Sequence, residues 1–468
     1  MRMKSMYMIL LLLTVAAQAQ GDNKLSDLAG SWMGDMQIPN GPTLTIGLEV
    51  FKKADKQWGA NVTSMDQGNR YIPVSHIQLE NQTLTVALQG APITIVGQVN
   101  TDASTIEAKF NQGDHAFPLT LKPVALIEEP RRPQTPTDTN QYLVEAVTYQ
   151  NTNDKTWLSG TLTLPKGSDP RPAVMLIAGS GPSHRDAYHT GHRPFMVLAD
   201  YLTTRGFVVL RSDKRGVYQS GGTFSEGAVD DFALDTQAAI QFLKAHQRVD
   251  AEKVFLIGHS EGSMVAAMAS LAEPVSGIVS MAGPGMSTLD ILLLQDQTEP
   301  RAKGASEAEI EVLLAFSEKF YQVVLNENDS TERKAKLQAL YDNLSPAEVA
   351  IHQKWNPRTG TLNVNTASSD QFKTFLQKNP LQSWQQVKIP TLIINGGKDA
   401  QVPAEQNVKG LLKAMESNPA QVSHQIFPNL NHMFQPATTG ATDEYAKIDQ
   451  TVAPEVLKTI HQWLMQKL

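Results

Sequence analysis

Two patterns of hydrophobic and polar positions divide the chain. Between about residues 20 and 125, short runs alternate apolar and polar residues, with turn residues between the runs. A period of two is typical of strands that bury one face, and short strands at close spacing favour an antiparallel meander that is closed or nearly closed. We therefore predict a small all-β, barrel-like domain over residues 20–125. The runs lie at 43–50, 58–62, 84–88, 93–97, 106–110 and 117–121.

From about residue 141 the apolar runs become continuous and alternate with helix-like stretches. Such runs lie at 173–177, 207–210, 253–257, 276–281 and 391–394. A strand buried on both faces has no polar side to alternate with, so this pattern predicts an α/β domain over residues 141–468, with a mostly parallel sheet and helices on both faces. The segment 126–140 is charged and spaced by prolines, which predicts an exposed linker.

A long segment separates the run 276–281 from the strand that begins at Thr391. It holds about a hundred residues, far more than one crossover needs. Helix-like spacing within it predicts a helical cap over about residues 286–385, and caps control access to a site. Six apolar residues are candidates for the pocket wall, although most are expected to be core of the cap: Met286, Leu293, Phe316, Phe320, Tyr321 and Trp355.

Composition narrows the chemistry that the chain can perform. Among its 468 residues there is no cysteine, which excludes disulfides, thiolate catalysis and cysteine-bound zinc. The sequence contains neither a P-loop nor an H-E-x-x-H motif, so we predict no cofactor and no metal. A net charge of −7 with no block of lysine or arginine argues against nucleic acid as a partner. The expected partner is a small-molecule substrate, and the oligomeric state is left open.

The first residues have the pattern of a secretory signal peptide. Arg2 and Lys4 precede the apolar run 8–17, and an A-x-A cleavage site ends at Ala19. The run is too short to span a bilayer comfortably, so we predict no stable membrane insertion. With residues 1–19 as the signal peptide and cleavage after Ala19, the mature protein is predicted to be periplasmic or secreted.

The motif that carries most chemical information is Gly258-His259-Ser260-Glu261-Gly262. It follows the apolar run 253–257 and precedes a stretch of small residues, and a strand, sharp turn and helix are the context in which G-x-S-x-G forms a nucleophile elbow. Ser260 is therefore the predicted nucleophile. A serine hydroxyl is a weak nucleophile that needs a base, and the base needs an orienting acid.

Both partners are found downstream of Ser260. Asp399 follows the strand at 391–394 and a glycine turn, and we predict that it is the acid. His432 lies in the loop after the strand 422–427 and is the predicted base. Each assignment has an alternative without a catalytic role: Asp399 as a turn residue and His432 as a surface residue. The order Ser, Asp, His along the chain favours the triad of an α/β-hydrolase fold.

On these motifs, the chain from about Tyr142 to Leu468 resembles the esterase-like and serine-aminopeptidase-like branch of the α/β-hydrolase superfamily. The resemblance implies that a backbone N–H of Ser180 or Gly181, in the glycine-rich turn after the run 173–177, joins that of Glu261 in an oxyanion hole. Which of the two amides takes part is open. The Glu261 carboxylate also lies where a helix dipole stabilises negative charge.

Three further features complete the resemblance. Asp213-Lys214-Arg215-Gly216 resembles the D-x-R-G turn of this superfamily, which we interpret as structural. Arg185 and Asp186 either pair to shape the pocket mouth or form a solvated surface pair. Gly30-Ser31-Trp32 and the meander that follows resemble lipocalin-like domains that precede some secreted hydrolases. This resemblance allows two roles for the domain, ligand binding or stabilisation of the catalytic domain.

The expected activity is acyl transfer to water through an acyl-enzyme. By resemblance, the substrate is a carboxylic ester with a small or medium acyl chain. An aminopeptidase-like peptide hydrolase is an alternative. Such an enzyme would usually show acidic cap residues placed to hold a free amine, and Glu307, Glu309, Glu311 and Glu318 leave this open. A non-catalytic ligand-binding protein on the same fold is a third possibility, although a binding scaffold has no need of an intact Ser, Asp, His order.

Overall fold

The computed structural model describes residues 25–39, 41–67, 70–89, 92–127, 131–138, 140–355, 361–418 and 421–468. The chain divides into two compact units. The first comprises Met1–Pro130 with Val217–Gly221, and the second comprises Arg131–Gly216 with Gly222–Leu468. The predicted signal peptide, residues 1–19, lies outside the described residues.

The first unit is a closed barrel of eight antiparallel strands. Each strand pairs with the next along the chain, and the last pairs with the first. Inward side chains such as Leu48, Val62 and Ile106 are fully buried, which is the physical origin of the period-two pattern, and the predicted all-β barrel is confirmed. The strands are β1 Gly30–Gln37, β2 Thr43–Lys52, β3 Trp58–Ser64, β4 Arg70–Glu80, β5 Thr83–Leu88, β6 Ile93–Val99, β7 Ile106–Gln112 and β8 His115–Val124.

The second unit is built on an eight-stranded sheet with the order β16-β15-β14-β13-β11-β12-β10-β9. From β12 to β16 neighbouring strands are parallel, and β9 and β10 are antiparallel. The strands are β9 Tyr142–Gln150, β10 Trp157–Pro165, β11 Arg171–Ile177, β12 Val208–Ser212, β13 Val249–His259, β14 Gly277–Met281, β15 Thr391–Gly396 and β16 Val422–Phe427.

Helices cover both faces of this sheet, as predicted. One face packs on Pro194–Thr203 (α1) and Pro454–Met465 (α12). The other packs on Val229–Ala245 (α2), Glu261–Ser270 (α3) and Ala404–Ala414 (α11). Because both faces are buried, the residues of β14 and β15 are all buried, which explains the continuous apolar runs in the sequence.

Between β14 and β15 the chain forms a helical insertion with a core of its own. Phe316, Phe320, Val324 and Leu337 are among the side chains of that core. Serine or aspartate side chains cap several of its helices, including Ser306, which forms a capping box with Glu309. The helices are α4 Thr288–Lys303, α5 Glu307–Asn326, α6 Ser330–Asp342, α7 Pro346–Trp355, α8 Thr361–Ala367, α9 Asp370–Leu376 and α10 Leu381–Trp384.

Residues 131–138, predicted as part of an exposed linker, belong to the second unit and are hydrogen-bonded there. Arg132 Nη2 donates to Thr190 O at 2.9 Å and to Ala446 O at 2.7 Å. Gln134 Nε2 donates to Val452 O at 2.8 Å. Two of the polar side chains in this segment therefore satisfy backbone carbonyls of the second unit, while Arg131 and Asp138 are exposed. Among the described residues, no helix has the length and apolarity that a bilayer crossing requires.

A buried arginine holds the insertion together and provides a stability test. The Arg333 side chain is fully buried and donates to Ser368 O at 2.9 and 2.7 Å and to Glu327 O at 2.8 Å. Replacing it in the variant Arg333→Met leaves the Ser368 carbonyl without its two donors, at about 1–3 kcal/mol, whereas Glu327 O keeps the Lys373 ammonium as a donor at 2.9 Å. We expect a clear fall in the midpoint of thermal unfolding, measured by calorimetry.

The matched control is Asp370→Asn. Asp370 also bonds Arg333, at 2.5 Å, but its side chain is 80% exposed, and an ion pair with an exposed partner contributes little. An equal loss of stability in the two variants would contradict this account, because it would assign the effect to the ion pair and not to the buried carbonyls.

Candidate active site

Ser260 occupies the turn between β13 and α3, with φ 55° and ψ −124°. A serine rarely adopts positive φ, and the strain costs on the order of 1–3 kcal/mol. It persists because the chain is held on both sides: Ser260 N–H donates to Met281 O at 2.9 Å, and Ser263 N–H donates to Ser260 O at 2.9 Å. The turn thus has the backbone geometry of a nucleophile elbow.

The two glycines of the pentapeptide are required by close backbone approach. A Cβ at Gly258 would lie 2.1 Å from Gly262 O, and a Cβ at Gly262 would lie 2.2 Å from Ile177 O. A side chain at Gly258 would push α3 away from the end of β13, and one at Gly262 would push it away from the end of β11. The spacing G-x-S-x-G is therefore a packing requirement of this turn.

His432 and Asp399 are brought together at the carboxyl edge of the sheet. His432 Nδ1 donates to Asp399 Oδ2 at 2.8 Å, and both side chains are buried. The other oxygen, Asp399 Oδ1, accepts the N–H groups of Gln401 at 2.9 Å and Val402 at 2.7 Å. With both oxygens occupied, the carboxylate orients the imidazole and leaves Nε2 for another partner.

Ser260 and His432 line the same cavity. In the part of the chain that the structure describes, Ser260 Oγ takes part in no hydrogen bond, so the hydroxyl and the imidazole are not bonded to each other here. Nucleophile and base often approach closely only when substrate is bound. The arrangement therefore places an oriented imidazole and a half-buried serine hydroxyl in one cavity.

His259, to which the sequence analysis assigned no role, supports the His432 loop. The two rings lie 4.7 Å apart between centroids, and His259 Nε2 donates to His432 O at 2.9 Å. Burial, and secondly the nearby His432, lower the pKa of His259 to about 3. A neutral ring in this place holds the loop without adding a positive charge beside His432. The one feature of the sequence that could have identified His259 is its position within the pentapeptide, next to Ser260.

The cavity has a volume of about 580 Å³ and is largely lined by apolar and neutral side chains. Phe224 and Phe232 contribute to it, with α9 of the insertion providing Phe372 and Phe375. Among the described residues that line it there is no lysine or arginine, and the one carboxylate is that of Glu261. The site is therefore suited to an uncharged ligand.

The six residues predicted for the pocket wall do not line this cavity. Phe316, Phe320 and Tyr321 are core of the helical insertion, as most were expected to be. Met286 and Leu293 pack against that core, and the Trp355 indole donates to Glu309 at 2.8 Å. The apolar face of each helix packs against neighbouring helices, so the wall prediction was wrong.

The residues predicted for the oxyanion hole surround Ser260. Ser180, Gly181 and Glu261 all line the cavity, and a Cβ at Gly179 would lie 3.0 Å from Ser260 Cβ. Lys214 Nζ donates to Gly179 O at 2.5 Å and to Glu261 Oε1 at 3.0 Å. The Glu261 carboxylate is therefore ion-paired, beyond any stabilisation by the helix dipole.

Arg185 and Asp186 do not pair with each other. Arg185 binds Asp213 through its guanidinium, at 2.5 Å, and through its backbone N–H, at 2.8 Å. Asp186 instead pairs with Arg193, at 3.1 Å, and with Arg211. Both predictions, a pair that shapes the pocket mouth and a solvated surface pair, were therefore wrong. The two side chains are largely buried, and they join the turn after β11 to β12 and to the turn that follows it.

The acidic residues of the insertion that were considered as amine ligands lie outside the cavity lining. None of Glu307, Glu309, Glu311 and Glu318 lines it. Glu307 pairs with Arg301 at 2.8 Å, and Glu309 accepts from Ser306 N at 2.8 Å and from Trp355. Their contacts cap a helix and tie neighbouring helices together.

Comparison with known proteins identifies relatives of the second unit. The model of a family described as "Serine aminopeptidase, S33" matches residues 183–435, more than half of the chain. Esterase EstD of Thermotoga maritima is 26% identical over 310 residues, which are 66% of this chain and 66% of that relative. The Pyrococcus furiosus esterase Pf2001 superposes with a TM-score of 0.43 at 18% identity, over 73% of this chain and 98% of that chain. The Exiguobacterium antarcticum esterase EaEST has a TM-score of 0.38 at 17% identity, over 68% of this chain and 99% of that chain.

The burial of His259 makes stability depend on pH. Its pKa is about 3 in the folded protein and about 6.5 in an unfolded chain. Above about pH 6.5 the ring is neutral in both states, and as the pH falls from there towards 3 only the unfolded chain binds the proton, so stability falls. In the variant His259→Phe, which keeps a ring, we expect a smaller loss of stability between pH 7 and about 4.5, measured by denaturant unfolding.

The slope with pH is the readout, since loss of the hydrogen bond to His432 O also lowers stability at neutral pH. His192, whose pKa is lowered to about 4 mainly by burial, contributes to the slope in both proteins. An unchanged slope in the variant would show that His259 is not held neutral in the folded state.

Proposed function

Because the chain belongs to the serine aminopeptidase S33 family of the α/β-hydrolase superfamily, we propose that it is a serine hydrolase that cleaves carboxylic esters of small to medium acyl chains. The observation that carries the proposal is the hydrogen bond from His432 Nδ1 to Asp399, 2.8 Å long, in a cavity that also holds Ser260 at a strained turn. The name of the relative EstD, an esterase, supports the choice of ester.

Each of the three side chains has a role that its geometry allows. As Ser260 Oγ attacks the ester carbonyl carbon, its proton passes to His432 Nε2, and Asp399 stabilises the imidazolium. The tetrahedral intermediate then collapses, the C–O bond to the alcohol breaks, and His432 gives the proton to the departing alcohol oxygen. Water attacks the acyl-enzyme, its proton passes to His432 and then to Ser260 Oγ, and the acid leaves.

The charge of the cavity favours an uncharged substrate. Glu261 carries the one carboxylate among the described lining residues, which include no lysine or arginine, and Lys214 pairs with it. A charged group that entered this cavity would lose water without gaining a partner, which is costly. Neutral acyl groups are therefore the expected substrates.

The same observation supports ester hydrolysis over aminopeptidase activity. An aminopeptidase must bind a free ammonium group, and buried ammonium groups need a carboxylate partner. The acidic residues that would have served, such as Glu307 and Glu309, are engaged elsewhere and do not line the cavity. We therefore prefer the ester, although the family's name refers to peptidases.

We infer that the helical insertion acts as a cap on this site. Its helices contribute several lining residues, among them Ile291, Leu292 and Phe372. The insertion is also hydrogen-bonded to the segment before α2, because Gln371 Nε2 donates to Phe224 O at 2.8 Å. Such a cover excludes water and shapes the acyl pocket. Export to the periplasm or medium is a further proposal, and it depends on the N-terminal sequence alone.

The first test compares the mature protein with its Ser260→Ala variant on p-nitrophenyl esters from acetate to laurate, beside aminoacyl-p-nitroanilides. We expect ester turnover in the wild type and a fall in kcat of roughly 10⁴-fold or more in the variant, because the nucleophile is lost. Ser270→Ala is the matched control: this serine lies on the same helix, where its Oγ donates to Ala267 O, and it does not line the cavity.

The outcomes of this test exclude one another. Turnover of anilides alone would make the protein a peptidase, and the absence of any turnover would favour a non-catalytic binding protein. Ester turnover that survives in Ser260→Ala would contradict the proposed nucleophile.

The second test varies the charge of the acyl group at constant length. We expect kcat/KM for a neutral p-nitrophenyl butyrate to exceed that for the p-nitrophenyl hemiester of succinate by roughly tenfold or more, because the cavity offers no cation to a carboxylate. The ratio of the two esters' spontaneous hydrolysis rates corrects for their intrinsic reactivity. Equal kcat/KM values would contradict a neutral acyl pocket.

A further inference from the structure

Lys214 links the two backbone segments that flank Ser260. Its Nζ donates to Gly179 O at 2.5 Å and to Glu261 Oε1 at 3.0 Å. Its backbone N–H donates to Ser183 O at 3.1 Å. Gly179 precedes Ser180 in the turn after β11, and Glu261 follows the serine in the elbow. One side chain therefore ties the turn after β11 to the start of α3.

The ammonium group is buried, so these contacts define its position. The side chain of Lys214 is 9% exposed and that of Glu261 is 8% exposed, and Nζ lies 4.6 Å from the centroid of the Phe232 ring. A buried ammonium is stable only when its donors are satisfied. This ion pair thus differs from the exposed pairs of the surface, which contribute little and fluctuate.

The bond to Gly179 O determines which way the next N–H points. Among the described residues there are no cis peptide bonds, and in a planar trans peptide the C=O and the N–H point in opposite directions. With Gly179 O held towards Lys214, the Ser180 N–H is directed away from the lysine. Neither this N–H nor that of Glu261 takes part in a hydrogen bond among the described residues, and both residues line the cavity beside Ser260.

We propose that Lys214 is a positioning residue of the oxyanion hole, which fixes the Gly179–Ser180 peptide so that the N–H of Ser180, together with that of Glu261, faces the oxyanion. The inference rests on the proposed ester hydrolysis. It chooses Ser180 over Gly181, because the peptide that Lys214 holds is the one that carries the Ser180 N–H.

The position of this donor matters most in the tetrahedral intermediate. The negative charge on the former carbonyl oxygen is stabilised by donors that are already aligned, and loss of one donor reduces kcat by about 10²–10³. A donor that is misaligned, and not absent, is expected to cost somewhat less. Binding of the uncharged ester depends little on it, so kcat changes and KM does not.

The experiment must separate orientation from charge. In Lys214→Met alone, the Glu261 carboxylate is left buried without its partner, which by itself destabilises the protein and repels an oxyanion. The informative comparison is therefore between the double variant Lys214→Met/Glu261→Gln and the wild type, because the neutral pair and the ion pair have the same net charge. The double variant carries no uncompensated charge, and replacing a buried ion pair by neutral residues is often tolerated, so the comparison holds even if Lys214→Met fails to fold. The single variant Glu261→Gln removes the carboxylate and keeps the ammonium group that donates to Gly179 O.

Three quantities are measured for each variant: kcat and KM for p-nitrophenyl butyrate, inhibition by an aryl trifluoromethyl ketone, and the midpoint of thermal unfolding. The ketone forms a tetrahedral adduct with serine that carries an oxyanion. Lys244→Met is the matched control, since Lys244 also donates to a backbone carbonyl, Pro274 O, at 2.5 Å, and does not line the cavity.

We expect the double variant to have a kcat about tenfold to a hundredfold below that of the wild type, with KM changed by less than about threefold. Inhibition by the ketone should weaken by a similar factor, and Lys244→Met should resemble the wild type. Equal kcat values for the double variant and the wild type, with activity that depends on Ser260, would overturn the role of Lys214 alone. Activity that survives in Ser260→Ala would overturn the proposed function and this inference with it.

Discussion

The site depends on one close approach of backbone to backbone, that of the elbow to the end of β11. Gly262 lies so near Ile177 O that a Cβ would be 2.2 Å from it, and this contact seats α3 directly above the sheet. The position of α3 in turn holds Ser260 at φ 55° and places Glu261 at the first turn of the helix. The same strand end leads into the turn that carries Ser180. Ser260, the start of α3 and the turn that carries Ser180 are therefore fixed together, because all three share this contact.

The parallel sheet brings the remaining groups to the same edge. β14, β15 and β16 follow β13 in this order across the sheet, and all four strands are parallel, so Asp399 and His432, which follow β15 and β16, meet at the edge where β13 ends at Ser260. Around them, buried charges are paired: Lys214 with Glu261, Arg185 with Asp213, and Asp186 with Arg211. These pairs join the turn after β11 to β12 and to the turn that follows it, and they join that second turn to the start of α3. The pair of Lys214 with Glu261 also compensates the one carboxylate among the described residues that line the cavity.

Much of this arrangement could be predicted from the sequence, and the exceptions have physical reasons. Continuous apolar runs identified the parallel strands, since strands buried on both faces tolerate few polar residues. In the barrel, β4 escaped prediction because Pro73 interrupts a strand pattern, and β1 because Gly30, Gly34 and two methionines give no clean alternation. The predictions for Arg185 and Asp186 were wrong because these side chains pair with residues from other parts of the chain, and the sequence alone does not show which residues those are. The prediction of the residues that form the pocket wall was wrong because apolar spacing shows only that a helix buries one face. It does not show whether that face lines a cavity or packs against another helix.

The central claim is that Ser260 is the nucleophile of an esterase, and covalent labelling tests it most directly. The protein is treated with diethyl p-nitrophenyl phosphate, which phosphorylates activated serines and releases p-nitrophenol, and the site of the adduct is found by peptide mass mapping. The account predicts one diethylphosphoryl group per chain, on Ser260, with loss of ester hydrolysis in proportion to labelling. Full loss of activity with Ser260 unlabelled, or stoichiometric labelling of Ser260 with activity retained, would contradict it.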